Sequence, residues 1–297
     1  MRFSRSLIVA IALAGVAAPV LAQSEKVSVR MSPQPGQTVK MTMTQDVDLE
    51  VSFGAALPGV DGAMKLAVKT VAALTQKTGA PKPDGTIDAE ITYDESRTEM
   101  MLNGQPISSS ADTQLVGKAV VVTYGQNGQI VDVKGLPAGD AMTPDTFKQM
   151  LDAFSGSLPA TALAVGETTS GPMAFNMPLP IPGADAMKMS GELRLQLVSI
   201  DKDAKGRSAK FESALDGRLS SKLDVPLPGV TGAMVVEIAM TGTGTSVMDL
   251  DKRLLRSNDS TAKIDGTITN AGAPGADPAA FPPMIVRGTV TVKVASN

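Results

Sequence analysis

The sequence of 297 residues contains no cysteine, no histidine and no tryptophan. The absence of cysteine excludes disulfides, thiol nucleophiles and thiolate metal sites. The absence of histidine removes the side chain best suited to proton transfer near neutral pH, which is also the commonest metal ligand. This sequence therefore lacks the residues from which most hydrolase active sites and transition-metal sites are built. We expect no catalytic activity, no bound metal and no cofactor.

Aromatic residues and net charge are also scarce. The chain has seven Phe and two Tyr, and 27 basic residues against 30 acidic residues give a formal net charge of −3. Nucleic-acid binding requires a cluster of positive charge for the phosphates and aromatic side chains on which bases stack. We therefore expect no nucleic-acid partner.

The N-terminal segment has the pattern of an export signal. Arg2 and Arg5 precede an unbroken apolar run over residues 7–18, and small residues surround Ala22. The apolar run is too short to span a membrane. The pattern predicts a secretory signal peptide that is cleaved near Ala22, with an uncleaved anchor as the alternative. We expect a periplasmic or extracellular protein.

Long stretches alternate between apolar and polar residues. From position 39 to position 53 the period is two, which predicts a half-buried strand far longer than the usual five or six residues. Residues 64–74, 187–197, 209–225 and 234–240 have the same form. The apolar set of the first stretch is Val39, Met41, Met43, Val47, Leu49, Val51 and Phe53, and it shares its face with Gln45.

A short apolar motif occurs three times, as "LPGVDGAM" at 57–64, "LPGVTGAM" at 227–234 and, more loosely, "IPGADAM" at 181–187. Pro-Gly pairs suit turns, because Pro fixes φ and Gly adopts conformations closed to other residues. We predict that each motif joins two strands of a repeated β unit, so that the chain consists of two related halves. The other predicted turns, at 78–85, 102–105, 125–128 and 201–206, are polar. If hairpins alternate, apolar turns collect at one end of a sheet and polar turns at the other.

Two interpretations of the apolar turns stay open. Their side chains either form an exposed docking rim for a membrane or an envelope protein, or fold inward to close the end of the sheet. The residues concerned are Leu57, Val60, Leu179, Ile181, Leu227 and Val230.

One amphipathic helix is predicted at the middle of the chain. Thr143 suits the N-cap and Pro144 the first helical position. The stripe at i, i+3, i+4 and i+7 predicts an apolar helix face that packs against the sheet; its members are Phe147, Met150, Leu151 and Phe154. The predicted division is a signal peptide at 1–22, a first β half at 23–142, the helix at 143–157 and a second β half at 158–297, the two halves forming one continuous domain.

Two segments, 158–170 and 246–260, resemble a family of uncharacterised exported bacterial β-rich proteins. In that family a Pro, a short apolar stretch and Gly-Asp/Glu-Thr open the second half of the chain. The matching residues here are Pro159, Val165, Gly166, Glu167 and Thr168. In architecture alone, long amphipathic strands with one central helix look like the curved half-barrel of periplasmic lipoprotein carriers. That likeness transfers no functional residue.

Three motifs imitate chemical sites but are better explained by strand and turn structure. Residues 201–212 follow part of an EF-hand calcium loop, but a lysine fills a ligand position and the flanks alternate as strands. The pairs Met41/Met43 and Met187/Met189 could offer thioethers to Cu(I), yet they share a face with core residues. Ser-x-x-Lys occurs at 199–202 and 260–263 in strand or turn context, where the nucleophile of penicillin-recognising enzymes would open a helix.

The sequence thus predicts a mainly β protein, a long-stranded antiparallel curved sheet or half-barrel from two related halves with one central helix. We expect a periplasmic carrier or binding module for an apolar ligand such as a lipid or acyl chain. The alternative is a non-catalytic envelope structural or interaction protein with a fully packed core. The residues that we predict to contact the ligand are Met41, Met43, Leu66, Val68, Phe147, Met150, Leu151, Phe154, Met189, Leu193 and Leu195.

Overall fold

The computed structural model describes residues 25–28, 33–53, 62–111, 116–126, 128–136, 148–149, 152, 161–177, 186–223, 233–270 and 283–297. The predicted signal peptide and the three apolar turn motifs, apart from their last residues, lie outside these ranges. Of the predicted helix, only Lys148, Gln149 and Asp152 are described, and all three are helical. The Lys148 ammonium lies 2.6 Å from the Asp152 carboxylate, at the i, i+4 spacing of one helix face.

Strands dominate the described residues. Within these ranges, no helix has the length and the apolar character needed to cross a membrane. The strands are β1 (Lys26–Val27), β2 (Thr38–Phe53), β3 (Ala63–Thr78), β4 (Ile87–Leu102), β5 (Gln105–Ala111), β6 (Ala119–Tyr124), β7 (Ile130–Lys134), β8 (Leu163–Ala164), β9 (Thr168–Met177), β10 (Met187–Asp203), β11 (Gly206–Leu223), β12 (Met234–Asp249), β13 (Leu254–Asn270) and β14 (Met284–Ser296).

Twelve of these strands form one antiparallel sheet. Its order is β7-β6-β4-β3-β2-β14-β13-β12-β11-β10-β9, with β5 pairing along the second half of β4. Strands β7 and β9 form the two edges and do not pair with each other, so the sheet is open. The prediction of a mainly antiparallel β fold with unusually long strands is confirmed.

The two predicted halves belong to one sheet. Strand β2, from the first half, pairs with β14, from the second, over a register that runs from Met41↔Ser296 to Phe53↔Met284. The other pairings among the long strands join consecutive strands of a meander. Within the large sheet, this pairing is the one that joins the described strands of the two halves.

The sheet has an apolar face and a charged face. On one face of the sheet, residues that are paired between neighbouring strands line up in rows. Five such rows cross the nine strands from β4 to β9 in sheet order. On β2 the rows pass through Met43, Gln45, Val47, Leu49 and Val51. We call these rows the apolar face. No residue in them is charged, whereas the alternate residues of the same strands include Asp48, Lys69 and Arg218.

Neighbouring strands approach closely at glycines on the apolar face. A Cβ atom added to Gly288 would collide with the carbonyl oxygen of Asp48, and one added to Gly191 would collide with that of Asp216. Glycine therefore permits the backbones to approach on this side, as it does where sheets curve. Alanine residues show the same difference between the faces. Ala72 on the apolar face is 2% exposed, whereas Ala239 on the charged face is exposed.

A two-stranded strap covers one part of the apolar face. We use "strap" for β1 and β8, which pair with each other through Lys26↔Ala164 and Val27↔Leu163. Both apolar strap side chains join a buried cluster with the sheet residues beneath them. That cluster consists of Val27, Leu163, Leu195, Leu197, Ala209, Phe211 and Met248.

A second, smaller core lies at the opposite edge of the sheet. It contains the buried residues Val120, Val122, Ile130 and Val133, from β6 and β7. Ile91 of β4 packs against them. The strapped core thus lies near the β9 edge and the smaller core lies at the β7 edge, with the middle of the sheet between them.

The two ends of the sheet differ in their connections. The strands that flank the three apolar motifs all end at the same end, which we call the motif end, and a fourth Pro-Gly segment at 271–283 joins β13 to β14 there. The polar turns at 79–86, 125–129, 204–205 and 250–253 lie at the other end, the charged end. The turn Asn103-Gly104 breaks the predicted separation, because β4 and β5 join at the motif end.

Candidate apolar binding face

The predicted ligand residues that are described all lie on the same side of the sheet. Met43 and Val68 belong to the five rows, and Met41 lies one row further towards the charged end. Met41, Met43, Leu66 and Val68 lie together on β2 and β3, whereas Met189, Leu193 and Leu195 lie together on β10. Five strand spacings, roughly 24 Å along the sheet, separate β2 from β10. The structure therefore forms two groups rather than one compact site.

Access differs between the two groups. Met189 and Leu195 are each 7% exposed, and Leu195 belongs to the core under the strap. Met41, Met43, Leu66 and Val68 are half-buried. Leu193 of the β10 group is half-buried as well. All four predicted ligand residues of β2 and β3 are therefore partly accessible, whereas on β10 only Leu193 is. Phe147, Met150, Leu151 and Phe154 lie outside the described residues, as do Leu57, Val60, Leu179, Ile181, Leu227 and Val230.

The structure also brings together a polar row that sequence reasoning did not assemble. The row crosses the apolar face at the level of Gln45. Its polar members are Thr98 of β4, Thr70 of β3, Gln45 of β2, Ser260 of β13, Ser213 of β11 and Thr169 of β9. Gln45 was visible as the one polar residue in the apolar alternation of β2. Its row partners lie up to 215 positions apart in sequence order, so only the register shows that they are aligned.

Thr70, Thr98 and Ser260 of the polar row have hydrogen-bond partners within the sheet. The hydroxyls of Thr70 and Thr98 are 3.2 Å apart. Asn258, one row nearer the charged end, donates from Nδ2 to Ser260 Oγ at 3.1 Å and accepts a bond from Ser246 Oγ at 2.8 Å. For the Gln45 carboxamide, no hydrogen-bond partner occurs among the described residues.

Ionisable groups with perturbed pKa values lie away from the apolar face. Burial alone would raise the pKa of Asp249, but the Lys252 amide, the Arg256 guanidinium and the Asp251 amide donate to it and hold the pKa below the usual value. Hydrogen bonds from Lys82 and Thr123 lower the pKa of Asp88 in the same way. Both carboxylates stabilise the charged end, and neither faces the candidate site.

The calcium-like segment is a tight hairpin turn, as predicted. Asp203 pairs with Gly206 across the turn, and its Oδ1 accepts the backbone N–H of Lys205 at 2.7 Å. Arg256 donates to its other oxygen at 3.3 Å. Within the described ranges, no group of three acidic residues is arranged to hold a metal ion.

The remaining motifs are dispersed by strand geometry. Met41/Met43 and Met187/Met189 lie on strands five spacings apart, so their thioethers do not form one cluster. Ser260 and Lys263 are three residues apart on β13 and therefore occupy opposite faces of the sheet.

Two residues that carried the family resemblance, Gly166 and Glu167, anchor the strap, and a third, Pro159, lies outside the described residues. Gly166, with φ of 88°, donates its N–H to the Leu197 carbonyl at 2.7 Å, and Leu197 donates back to the Glu167 carbonyl at 3.2 Å. The Glu167 carboxylate accepts the N–H of Ala164 at 2.8 Å. Val165 is exposed beside this turn. The Gly-Glu-Thr motif thus fixes where the strap crosses the sheet.

The charged face carries an open groove of about 570 Å³ across β9 to β13. Arg194, Glu212 and Asp259 line it together with several threonines. The groove has charges of both signs, and of the predicted ligand residues it adjoins only Leu195.

Comparisons with known proteins yield no family. No family model matches the chain, and no curated protein matches it significantly. Among solved structures, a mutant porin of Rhodopseudomonas blastica is 10% identical, with a TM-score of 0.29 over 86% of this chain and 99% of the porin. An outer membrane channel from Pseudomonas putida F1 is 10% identical, with a TM-score of 0.27 over 90% of this chain and 98% of the channel. These TM-scores are too low to establish a shared fold.

Proposed function

We propose that this protein is an exported, non-catalytic binding module or carrier for an apolar ligand such as a lipid or acyl chain. The N-terminal pattern of residues 1–22 supports export. The observation that carries the proposal is the half-buried part of the apolar face on β2, β3 and β14. It contains no charged residue over five rows, although the same strands carry charges at alternate positions.

The burial of that region separates it from a packed core. Met43, Leu66 and Val68 keep part of their surface exposed to solvent, in contrast to the residues beneath the strap. Contiguous apolar surface on a folded protein usually marks a binding site. A lipid chain laid on these rows would remove apolar area from water, with a gain of about 25 cal/mol per Å².

Opposite faces of β3 provide a matched test. Val68 lies on the apolar face and Val71 on the charged face of the same strand, and both are half-buried. Titration with the dye 1-anilinonaphthalene-8-sulfonate should show binding to the unsubstituted protein. Val68→Ser should weaken it about threefold or more, since a hydroxyl replaces contact area on the binding surface, and Val71→Ser should leave it unchanged. Absence of dye binding, or equal effects of both substitutions, would contradict the proposal.

A second candidate function is a structural or interaction protein that docks through the motif end. The observation that favours it is the placement of four Pro-Gly connections at one end of the sheet by the strands that flank them. Substituting Leu57 and Leu227 together by Ser tests it with anionic phospholipid vesicles. Weaker vesicle association with the free energy of unfolding changed by less than about 0.5 kcal/mol supports docking. A loss of about 2 kcal/mol or more would instead indicate that the side chains fold inward.

A further inference from the structure

We infer that the ligand of the apolar face is an amphipathic lipid whose polar group is uncharged, such as an ester, amide or hydroxyl, and that Gln45 hydrogen-bonds this group. The inference rests on the proposed function, because it assigns chemistry to the same face. It starts from the polar row, which borders the three wholly apolar rows that cross β2 at Val47, Leu49 and Val51.

Gln45 has the chemistry of an anchor. Its carboxamide provides two N–H donors and one acceptor oxygen. It lies half-buried at the middle of the sheet, between Thr70 of β3 and Val292 of β14. The hydroxyl of Thr70 already interacts with Thr98 on the far side. Among the described residues no group hydrogen-bonds the Gln45 carboxamide, so a ligand group at this point gains hydrogen bonds without breaking any between described residues.

The electrostatics of the face select an uncharged group. Placing a phosphate or a carboxylate in apolar surroundings is unfavourable unless a positive side chain pairs with it. Within the five rows no Lys or Arg is present, and Lys69 of β3 lies on the opposite face. A neutral hydrogen-bonding group meets the donors and acceptors of the polar row with no such requirement.

The geometry on the motif side of the polar row accommodates an acyl chain. From Gln45 to Phe53 the strand extends eight residues, about 27 Å at 3.4 Å per residue. The acyl layer of one membrane leaflet is about 15 Å thick, so one chain fits along this distance. Val47, Leu49 and Val51 line it on β2. The polar group therefore lies at Gln45, with the chain directed towards the motif end.

A matched pair of glutamines tests the inference. Gln76 of β3 lies on the same side of the sheet, three rows nearer the charged end, and is also half-buried. Gln45→Met and Gln76→Met make the same change in shape and polarity. The probes are monoolein, 1-octadecene and oleate, whose chains are similar and whose polar groups are neutral, absent and charged. Affinities follow from displacement of a bound apolar dye.

We expect the unsubstituted protein to bind monoolein more tightly than 1-octadecene or oleate. Gln45→Met should weaken monoolein binding about two- to tenfold, the range of one net hydrogen bond, with little change for 1-octadecene. Gln76→Met should change neither affinity. Equal affinities for monoolein and 1-octadecene, a preference for oleate, or equal effects of the two substitutions would overturn the inference and leave the proposed function intact. Failure of all three probes to bind would overturn the proposed function itself.

Discussion

The apolar face has a strapped region and an open region made from the same kinds of side chain. Leu197, beneath the strap, is 0% exposed, whereas Leu66, on β3, is half-buried. Both are leucines on long antiparallel strands of one sheet, and both point to the same side. Their exposure differs because the strap lies over Leu197, not because the two side chains differ in chemistry. An apolar row becomes core where another segment crosses it and remains an accessible surface where none of the described residues does.

The strap stays in place through a small number of specific contacts. Its two strands pair through only two residues each, and the turn at Gly166-Glu167 bonds to Leu197. Ion pairs join Glu25 to Arg207 and Lys26 to Glu167, but all four side chains are largely exposed, so the pairs contribute little. Burial of Val27 and Leu163 therefore accounts for most of the strap's stability.

Truncating one leucine in each region gives the largest expected difference. Leu197→Ala should lower the free energy of unfolding by about 3–5 kcal/mol, because it removes a fully buried side chain and leaves a cavity. Leu66→Ala should cost about 1–2 kcal/mol, because part of that side chain already contacts water in the folded protein. Urea denaturation of both variants measures the difference. Equal losses would mean that the open region is covered as well as the strapped one.

Substitutions at two glycines of the apolar face test whether close approach of the strand backbones stabilises the open region. Gly288→Ala places a methyl group against the Asp48 carbonyl, so the strands must separate, at a cost of about 1–3 kcal/mol. In Gly217→Ala, the nearest atom to the new methyl group is the terminal carbon of Met189 at 3.4 Å. That variant should stay within about 1 kcal/mol of the unsubstituted protein, or gain stability from a less flexible unfolded chain. Similar unfolding temperatures of the two variants would show that close backbone approach at Gly288 does not stabilise the sheet.

Acid should loosen the strapped region first, with a smaller effect than either substitution. Asp249 adjoins Met248 of the strapped core, and hydrogen bonds hold its pKa below the ordinary 3.8. A lowered folded-state pKa contributes stability above the unfolded-state pKa, and that contribution disappears as the pH falls below 3.8. Asp249→Asn should therefore reduce stability at pH 7 and flatten its dependence on pH between 5 and 3 (about the range in which carboxyls titrate). Hydrogen exchange at Leu197 and Leu66 shows which region opens.

A steeper loss of exchange protection at Leu66 than at Leu197 on acidification would be the contrary result. It would show that the Asp249 contacts support the open region instead. The ion-pair partner Arg256 offers an independent check, because Arg256→Gln removes the same charge-assisted hydrogen bond and should give a similarly flattened profile.

Local pattern in the sequence predicted the strands well and their partners poorly. The alternation at 39–53 became β2 within one residue, because a period of two specifies an extended backbone with one apolar face. The same pattern says nothing about which strand lies beside it. The pairing of β2 with β14, the strap at β1 and β8, and the alignment of Gln45 with Ser260 all depend on contacts between distant residues.

The candidate site shows the same limit. Met41, Met43, Leu66 and Val68 were predicted to act together, and they lie together because they occupy consecutive strands. Leu195 was predicted to contact the ligand by its apolar character alone, which does not distinguish a residue under the strap from one in the open region. Gln45 was noticed as an exception to the alternation, but its meaning depends on the neighbours that the register supplies.

The pairing of β2 with β14 has a consequence for the order of assembly. The meanders β2–β4 and β9–β14 need only hairpins between consecutive strands, whereas the middle of the sheet joins residues 41 and 296. That closure has a high contact order and is slow relative to hairpin formation. Until the residues of β14 are available, β2 presents a sixteen-residue unpaired edge, the kind of edge that templates aggregation. This edge therefore stays open to intermolecular pairing until the last strand of the sheet has been made.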